Sequence, residues 1–457
     1  MFVKIEGFNP ATGEKIYSYD EVSDAEANRA LTKARAAFQE WRKASFEERG
    51  ALLRKAAALL REQQGPLAEL MATEMGKPLA QGRGEIGKCA VGCEFFAEHA
   101  RGYLKPEEIS KAPSRSVIYY EPLGVILAIM PWNFPFWQMF RAAAPALMAG
   151  NVMVLKHASN VFGCALAIEE IFRQAGFPKG VFQTLLIGSR RTGALVEHPA
   201  IAAVTLTGST PAGQAVAAAA GKALKKAVLE LGGSDPYIVL EDADLEQAAE
   251  TCAASRLVNS GQSCIAAKRF IVVRRVANEF QRLFVERMAE RKLGDPFEEG
   301  VAIGPLARRD LRDSLDKQVK KTVAQGGEVL LGGKPLTGKG AFYPATVLGN
   351  VRKGMTAFDE ETFGPVAAVV RARDEEDAIR LANDTPFGLG AAVFTKNKAR
   401  GEEIAAHRLE AGNCFVNGYV VSDPKLPFGG IKQSGFGREL SSFGIREFVN
   451  IKTVVVK

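Results

Sequence analysis

From residue 115 onward, short apolar runs alternate with helical stretches, and this rhythm constrains the fold more than any other feature of the chain. "SRSVIYYEP" alternates as an exposed strand does, whereas "LGVILAIMP" is the continuous apolar run of a buried parallel strand. "NVMVLK", "VFQTLLIG", "AAVTLTG" and "PYIVLED" are further short runs, separated by helical stretches such as "VFGCALAIEEIFRQAGF" and "PAGQAVAAAAGKALKK". A strand apolar on both faces needs a helical layer on each side, so the alternation predicts a doubly wound α/β sheet. A second series follows through "RFIVVR", "NEFQRLFVERMAER", "EVLLGG", "AAVVRA", "EDAIRLAND", "AAVFT" and "NCFVNG", with no low-complexity linker between the two. The tail "REFVNIKTVVVK" ends in a β-branched run, which reads as a strand able to pair with another element or another subunit.

The first hundred residues read as helical after a short turn region. "SDAEANRALTKARAAFQEW" opens with Ser23 and carries Glu26 three places on, a capping box before an apolar helical period. "SFEERGALLRKAAALLREQQ" repeats the device with Ser45 and Glu48. Within the third helical stretch, Gly82 to Gly87 spell G-x-G-x-x-G, and Lys88 nearly completes a phosphate loop. No strand precedes those glycines and Cys89 stands where a hydroxyl is needed, so they are read as allowing close helix packing.

Composition excludes several classes. The 457 residues are 47% hydrophobic and 24% charged, ordinary for a folded chain of two or three domains. The net charge of +7 is scattered, with neither basic tail nor zinc-finger spacing, so no nucleic-acid partner is expected. No uninterrupted apolar stretch reaches membrane-spanning length and no secretory signal is visible. Six cysteines without a CxxC pair suit free thiols in a cytoplasmic setting. Four histidines, none at ligand spacing, predict no metal, and the missing G-x-S-x-G elbow argues against a serine hydrolase.

Four segments could carry chemistry. "GQSC" holds Cys264, either a packed thiol or a nucleophile. "MPWNFPFWQ" follows a buried strand, where Asn133 is either an amide donor or part of a proline-bracketed turn. "TLTGST" leads from a strand into a helix, the context in which backbone N–H groups seat a phosphate. "LELGGSDP" places Glu230 before two glycines, as a turn acid or a buried general base with a raised pKa, and "DEETFGPV" adds Glu361 and Phe363.

Taken together, "PWNFP", "VLKHAS", "TLTGST", "LELGGSDP", "GQSC", "EETFGPV" and "LPFGGIKQSG" resemble the aldehyde dehydrogenase superfamily in order and over nearly the whole chain, with bacterial succinate-semialdehyde dehydrogenases the most similar branch. The resemblance implies an α/β fold with a Rossmann-type NAD(P)-binding domain (1–103 and 123–231), an α/β catalytic domain (232–438) and a small β oligomerisation element (104–122 and 439–457). It implies oxidation of an aldehyde to a carboxylic acid through a cysteine thioester, the aldehyde being succinic semialdehyde or another semialdehyde or general aldehyde. A thiol hydrolase or acyltransferase without redox chemistry is the rival reading.

In the implied mechanism Cys264 is the nucleophile, Asn133 holds the oxyanion and Glu230 activates water, both to deprotonate the thiol and to hydrolyse the thioester. The small neighbours Gly261 and Ser263 read as clearance for aldehyde and nicotinamide. Ile129, Pro131, Trp132, Thr207 and Gly208 would line the cofactor, Ser209 would meet the pyrophosphate, and Glu361 and Phe363 the nicotinamide ribose. Lys156 and Ser159 would face the adenosine ribose; a carboxylate at the serine's position would repel a 2′-phosphate, so NADP is expected ahead of NAD. Ser159 could equally only cap the helix that follows it. Trp137, Arg141 and Ser422 would bind substrate, with Arg141 pairing a carboxylate, while His157 is expected to make local hydrogen bonds only. A homodimer or homotetramer is expected.

Overall fold

The computed structural model describes residues 4–111 and 114–457; residues 1–3 and 112–113 of the expected segments lie outside them. Its core is two mainly parallel sheets. The first has six strands in the order 435–436, 226–230, 201–207, 125–130, 152–157, 182–184, all parallel except the short Gly435–Phe436 pairing. Val125–Met130 lies at its centre and is buried at every position, as its unbroken apolar run requires. From it the chain winds outward through Val152–His157 and Phe182–Thr184, then returns to its other side at Ile201–Thr207. The winding therefore reverses between Val125–Met130 and Ile201–Thr207, and the loops after the carboxyl ends of these two strands bound the crevice where such sheets take ligands.

The second sheet has seven strands in the order 328–331, 346–351, 366–372, 269–273, 236–239, 390–394, 413–416, antiparallel only at the first pair. The chain passes from one sheet to the other between Glu230 and Pro236. A third, antiparallel sheet joins Glu107–Ser110, Arg115–Pro122 and Val449–Val456. Among the described residues its outer strand, Val449–Val456, keeps one edge unpaired and seven of its eight residues exposed.

Both capping boxes form. Ser23 and Glu26 cap the helix Asp24–Trp41, and Ser45 and Glu48 cap Phe46–Glu62, each side chain bonding the other's backbone N–H. The turn region before them is instead a hairpin, Lys4–Phe8 against Lys15–Asp20. Its signal was the turn "NPATG": Asn9 Oδ1 accepts from Ala11 N at 2.8 Å, and Gly13 adopts φ +75°. Gly82 to Gly87 lie inside the helix Leu79–Tyr103, where Gly82 packs on Ala68 of the neighbouring helix. Among the described residues, no helix is long and apolar enough to cross a membrane.

Candidate active site

Cys264 stands where two cavities meet, lining both. The larger, about 400 Å³, opens at the winding reversal and is walled by Pro131, Trp132, Asn133, Thr207, Gly208, Ser209, Glu361 and Phe363, among others. The smaller, about 110 Å³, is lined by Lys88, Phe134, Trp137, Arg141, Ser422 and Phe428, among others.

The loop that carries Cys264 is built under strain and held by buried donors. Asn259, Ser260 and Gly261 take three successive left-handed conformations, with φ of 54°, 57° and 75°. Such a run is unfavourable for residues with a Cβ and persists only where surrounding bonds over-determine it. Those bonds are present. Asn259 N donates to Gln81 Oε1 at 2.7 Å, Ser260 Oγ accepts from Gly304 N at 2.9 Å, and Gln262 Oε1 accepts from Ala307 N at 2.8 Å. Lys268, fully buried, donates to the carbonyls of Ser263 at 2.9 Å and Cys264 at 2.5 Å, and Arg256 donates to Gly261 O at 2.5 Å.

Gly261 thus corrects the reading of the sequence. A Cβ there would strike the Gly364 carbonyl, so the glycine permits backbone contact and gives no clearance to a ligand. Ser263 does line the smaller cavity.

Asn133 follows the central strand and is oriented on both faces of its amide. Gln138 Nε2 donates to Asn133 Oδ1 at 3.0 Å, and Asn133 Nδ2 donates to Gln262 O at 3.0 Å, leaving its second N–H for the cavity beside Cys264. Its own carbonyl accepts from Lys77 Nζ at 2.9 Å and Asn259 Nδ2 at 2.7 Å. Lys77 is buried in an ion pair with Glu85, whose other oxygen accepts the N–H groups of Phe136 and Trp137, each at 2.9 Å, at the start of the helix Trp137–Met148.

Burial pushes the Cys264 thiol up to about 12, against the pull of Arg141 and Lys268. The resting sulfur is therefore protonated, and a reaction needs somewhere for that proton to go. Glu230 ends the strand Lys226–Glu230, and its neighbours Leu231 and Gly232 line the larger cavity. Its own carboxylate lines neither cavity; it faces Gly429, Arg438 and Glu439 and, among the described residues, has no hydrogen-bond partner on either oxygen. Burial, reinforced by the Glu439 charge, raises its pKa well above the carboxylate range.

The cofactor-side residues divide into two groups. Ser209 caps the helix Thr210–Lys222, which points its N-terminus at the larger cavity; Glu361 accepts from Gly233 N at 3.1 Å and pairs with Lys268 at 3.4 Å; and Phe363 packs edge-on against Trp132, ring centres 5.7 Å apart. Ile129, Lys156 and Ser159 lie outside that cavity wall, the first two on the paired strands Val125–Met130 and Val152–His157 and Ser159 exposed on the turn beyond. An amide-lined helix start, hydroxyls and an aromatic wall suit a dinucleotide, so the residues present fit a nicotinamide cofactor. His157 is neutral, its pKa lowered by burial to about 4, with Nε2 on Pro135 O and Nδ1 on Ala158 N.

Trp137, Arg141 and Ser422 meet in the smaller cavity, as does Lys88, which the sequence reading treated only as part of a false phosphate loop. Glu85 and Lys88 sit three apart on the buried face of Leu79–Tyr103. Two charged residues at helical spacing on an otherwise apolar face were the signal that could have found them. Glu439 is the other omission: it forms an ion pair with Arg141 in which both side chains are 4% exposed.

The family profile "Aldehyde dehydrogenase family" matches residues 3–454. The succinate semialdehyde dehydrogenase [NAD(P)+] of Escherichia coli (strain K12) is 50% identical over 98% of this chain and 96% of its own length. A probable succinate-semialdehyde dehydrogenase [NADP(+)] of Synechocystis is 51% identical over 98% of this chain and 99% of its own. The crystal structure of succinic semialdehyde dehydrogenase from Streptococcus pyogenes with NADP+ superposes with a TM-score of 0.96 at 35% identity, covering 98% of this chain and 99% of that one.

Proposed function

The chain belongs to the aldehyde dehydrogenase family, and on that premise we propose that it oxidises succinic semialdehyde to succinate with NADP, NAD serving as the weaker alternative. The observation that carries this reading is the position of Cys264, shared by a cavity that suits a dinucleotide and a smaller one that contains cations.

Through a water activated by Glu230 the Cys264 thiol would give up its proton; the thiolate would bond the aldehyde carbon, and the free N–H of Asn133 Nδ2 with the Cys264 backbone N–H would receive the oxygen's developing negative charge. Nicotinamide, when bound, supplies the hydride acceptor. The residues that would hold it are Pro131, Trp132, Thr207, Gly208, Ser209, Glu361 and Phe363, with Ile129, Lys156 and Ser159 toward the adenosine. Because Asn133 is fixed by Gln138 and Gln262, its donor is in place before charge develops and needs no reorganisation.

Hydrolysis of the thioester requires a base, and Glu230 is the carboxyl group whose environment suits one. It is buried beside Glu439, raised in pKa and, among the described residues, without a hydrogen-bond partner. In the substrate cavity Trp137, Arg141 and Ser422 would take the carboxylate end. Assembly as a homodimer or homotetramer would cover the unpaired edge of Val449–Val456, whose Ile451, Val455 and Val456 are each more than half exposed. The six cysteines are all free thiols, which suits a cytoplasmic enzyme.

The test is a steady-state panel of aldehydes with and without a terminal carboxylate, against both nicotinamides, with Cys264→Ala as the control. Turnover that favours succinic semialdehyde with NADP and vanishes in Cys264→Ala, while dinucleotide binding remains, is expected. Absence of nicotinamide reduction with every aldehyde tried, or turnover retained without the thiol, overturns the reading.

A further inference from the structure

Asn259 follows the helix Leu245–Leu257 and opens the left-handed run that leads to Cys264. Both hydrogens of its side-chain amide go to main-chain carbonyls: Nδ2 donates to Asn133 O at 2.7 Å and to Gln262 O at 3.1 Å. The second of these carbonyls also accepts from Asn133 Nδ2 at 3.0 Å. The bonds close a ring, from Asn133 O through Asn259 Nδ2 and Gln262 O back to Asn133 Nδ2. That ring ties the loop after the central strand to the loop that carries Cys264. It is backed on both sides, since Lys77 Nζ also donates to Asn133 O and Gln81 Oε1 accepts from Asn259 N.

This placement of Asn259 costs stability twice. Its φ of 54° is unfavourable for a residue with a Cβ, and among the described residues its buried Oδ1 has no hydrogen-bond partner. Turning the amide over relieves neither cost. The oxygen would then face two carbonyl oxygens, and Asn133 O and Gln262 O would each lose a donor. Asparagine tolerates the left-handed region better than most residues and carries two hydrogens on one nitrogen, so its type meets both demands of the site. Strain kept in this way is found where the geometry it fixes matters to function.

The geometry in question is that of the oxyanion donor. One hydrogen of Asn133 Nδ2 goes to Gln262 O, and this sets the direction of the other, which faces the cavity beside Cys264. Gln262 and Cys264 share a loop, so the carbonyl that aims the donor moves with the nucleophile. Without the Asn259 amide, the bond made by Asn133 Nδ2 is all that remains of the ring, and the donor would have to hold the loops together as well as bind the oxyanion. We propose that Asn259 is a positioning residue that fixes the oxyanion donor Asn133 relative to the Cys264 sulfur. The inference rests on the roles proposed above for Asn133 and Cys264.

The experiment measures kcat and KM for succinic semialdehyde with NADP in wild type, Asn259→Gly, Asn133→Ala and the double variant. Glycine takes the left-handed backbone freely, so it removes the amide without adding strain. Asn259→Asp has the same shape and tolerates the same backbone, and it replaces the glycine variant if that does not fold. Asn259→Gly is expected to lower kcat by about 10- to 100-fold, the cost of a catalytic group misplaced by up to an ångström, with KM changed less than about threefold. In the Asn133→Ala background the same substitution should change kcat by less than about threefold, because no donor remains to be aimed. A merely structural asparagine would lower kcat equally in both backgrounds. Equal losses in the two backgrounds, a loss confined to KM, or a wild-type kcat in Asn259→Gly overturns the proposal and leaves Asn133 as the oxyanion donor. A wild-type kcat in Asn133→Ala overturns the donor reading itself, and the proposal with it.

Discussion

Replacing Lys268 by methionine tests how the nucleophile is held. The lysine is fully buried, and it supplies three interactions: donation to the Ser263 and Cys264 carbonyls at 2.9 and 2.5 Å, and a pairing with Glu361 at 3.4 Å. Methionine keeps the length and loses every donor. The Cys264 carbonyl loses its hydrogen bond, at about 1–3 kcal/mol, whereas the Ser263 carbonyl still accepts from Ala266 N at 3.2 Å. The Glu361 side chain is 20% exposed and keeps its bond from Gly233 N, so the ion pair contributes about 1 kcal/mol at most. Removing the desolvated ammonium returns part of the loss, since burial already lowers its pKa. The net is about 2 kcal/mol, most of it from the Cys264 carbonyl, set against the left-handed strain of residues 259–261.

Hydrogen exchange on the peptide spanning residues 262–268 reads that local stability. Lys268→Met should exchange about thirtyfold faster there, while Glu361→Gln accelerates exchange only about fivefold. Alkylation of Cys264 at fixed pH should also slow in Lys268→Met, because a charge that lowers the thiol pKa has gone. Exchange within about threefold of wild type, or equal losses in the two variants, would refute the dominance of the Cys264 carbonyl bond.

Three further outcomes are expected. Asn133→Ala should reduce kcat by about 10²- to 10³-fold with a smaller change in KM, since it removes a preset oxyanion donor; a loss confined to KM argues against that role. Glu230→Gln should give a burst of reduced nicotinamide followed by slow turnover; the wild-type deacylation rate should rise with pH, because the raised carboxyl pKa must be passed before the base is ionised, and the variant's should not. Stopped-flow absorbance separates the two phases, and a lost burst would put the main need for Glu230 at thiol deprotonation rather than at hydrolysis. Ser159→Glu should lower kcat/KM for NADP relative to NAD, by repulsion of a 2′-phosphate; an unchanged ratio removes Ser159 from cofactor choice.

Much of this site could be read from one dimension. "LGVILAIMP" and "AAVTLTG" mark their strands by unbroken apolar runs, and a strand followed by a turn and a helix start places Asn133 and Ser209 at the same sheet edge. The capping boxes at Ser23 and Ser45 are local and form as written. Glu230 is different: its sequence context left a surface acid and a buried base equally open, and only its placement against Glu439 and Arg438 makes it a buried, unpartnered carboxyl.

By itself the sequence determined what short-range forces decide, namely the periodicities, the caps, the strand-to-helix turns and the residue types available as nucleophile, donor and base. Tertiary structure decided which charges meet. Lys88 and Ser422 are 334 residues apart yet share a hydrogen bond, and Arg141 is drawn to Glu439 across the interior. No local pattern encodes such pairs, because a buried ion finds its partner through the burial that forces it to seek one. Gly261 makes the same point in miniature: its small size near Cys264 in sequence suggested room for a ligand, and the fold filled that room with backbone.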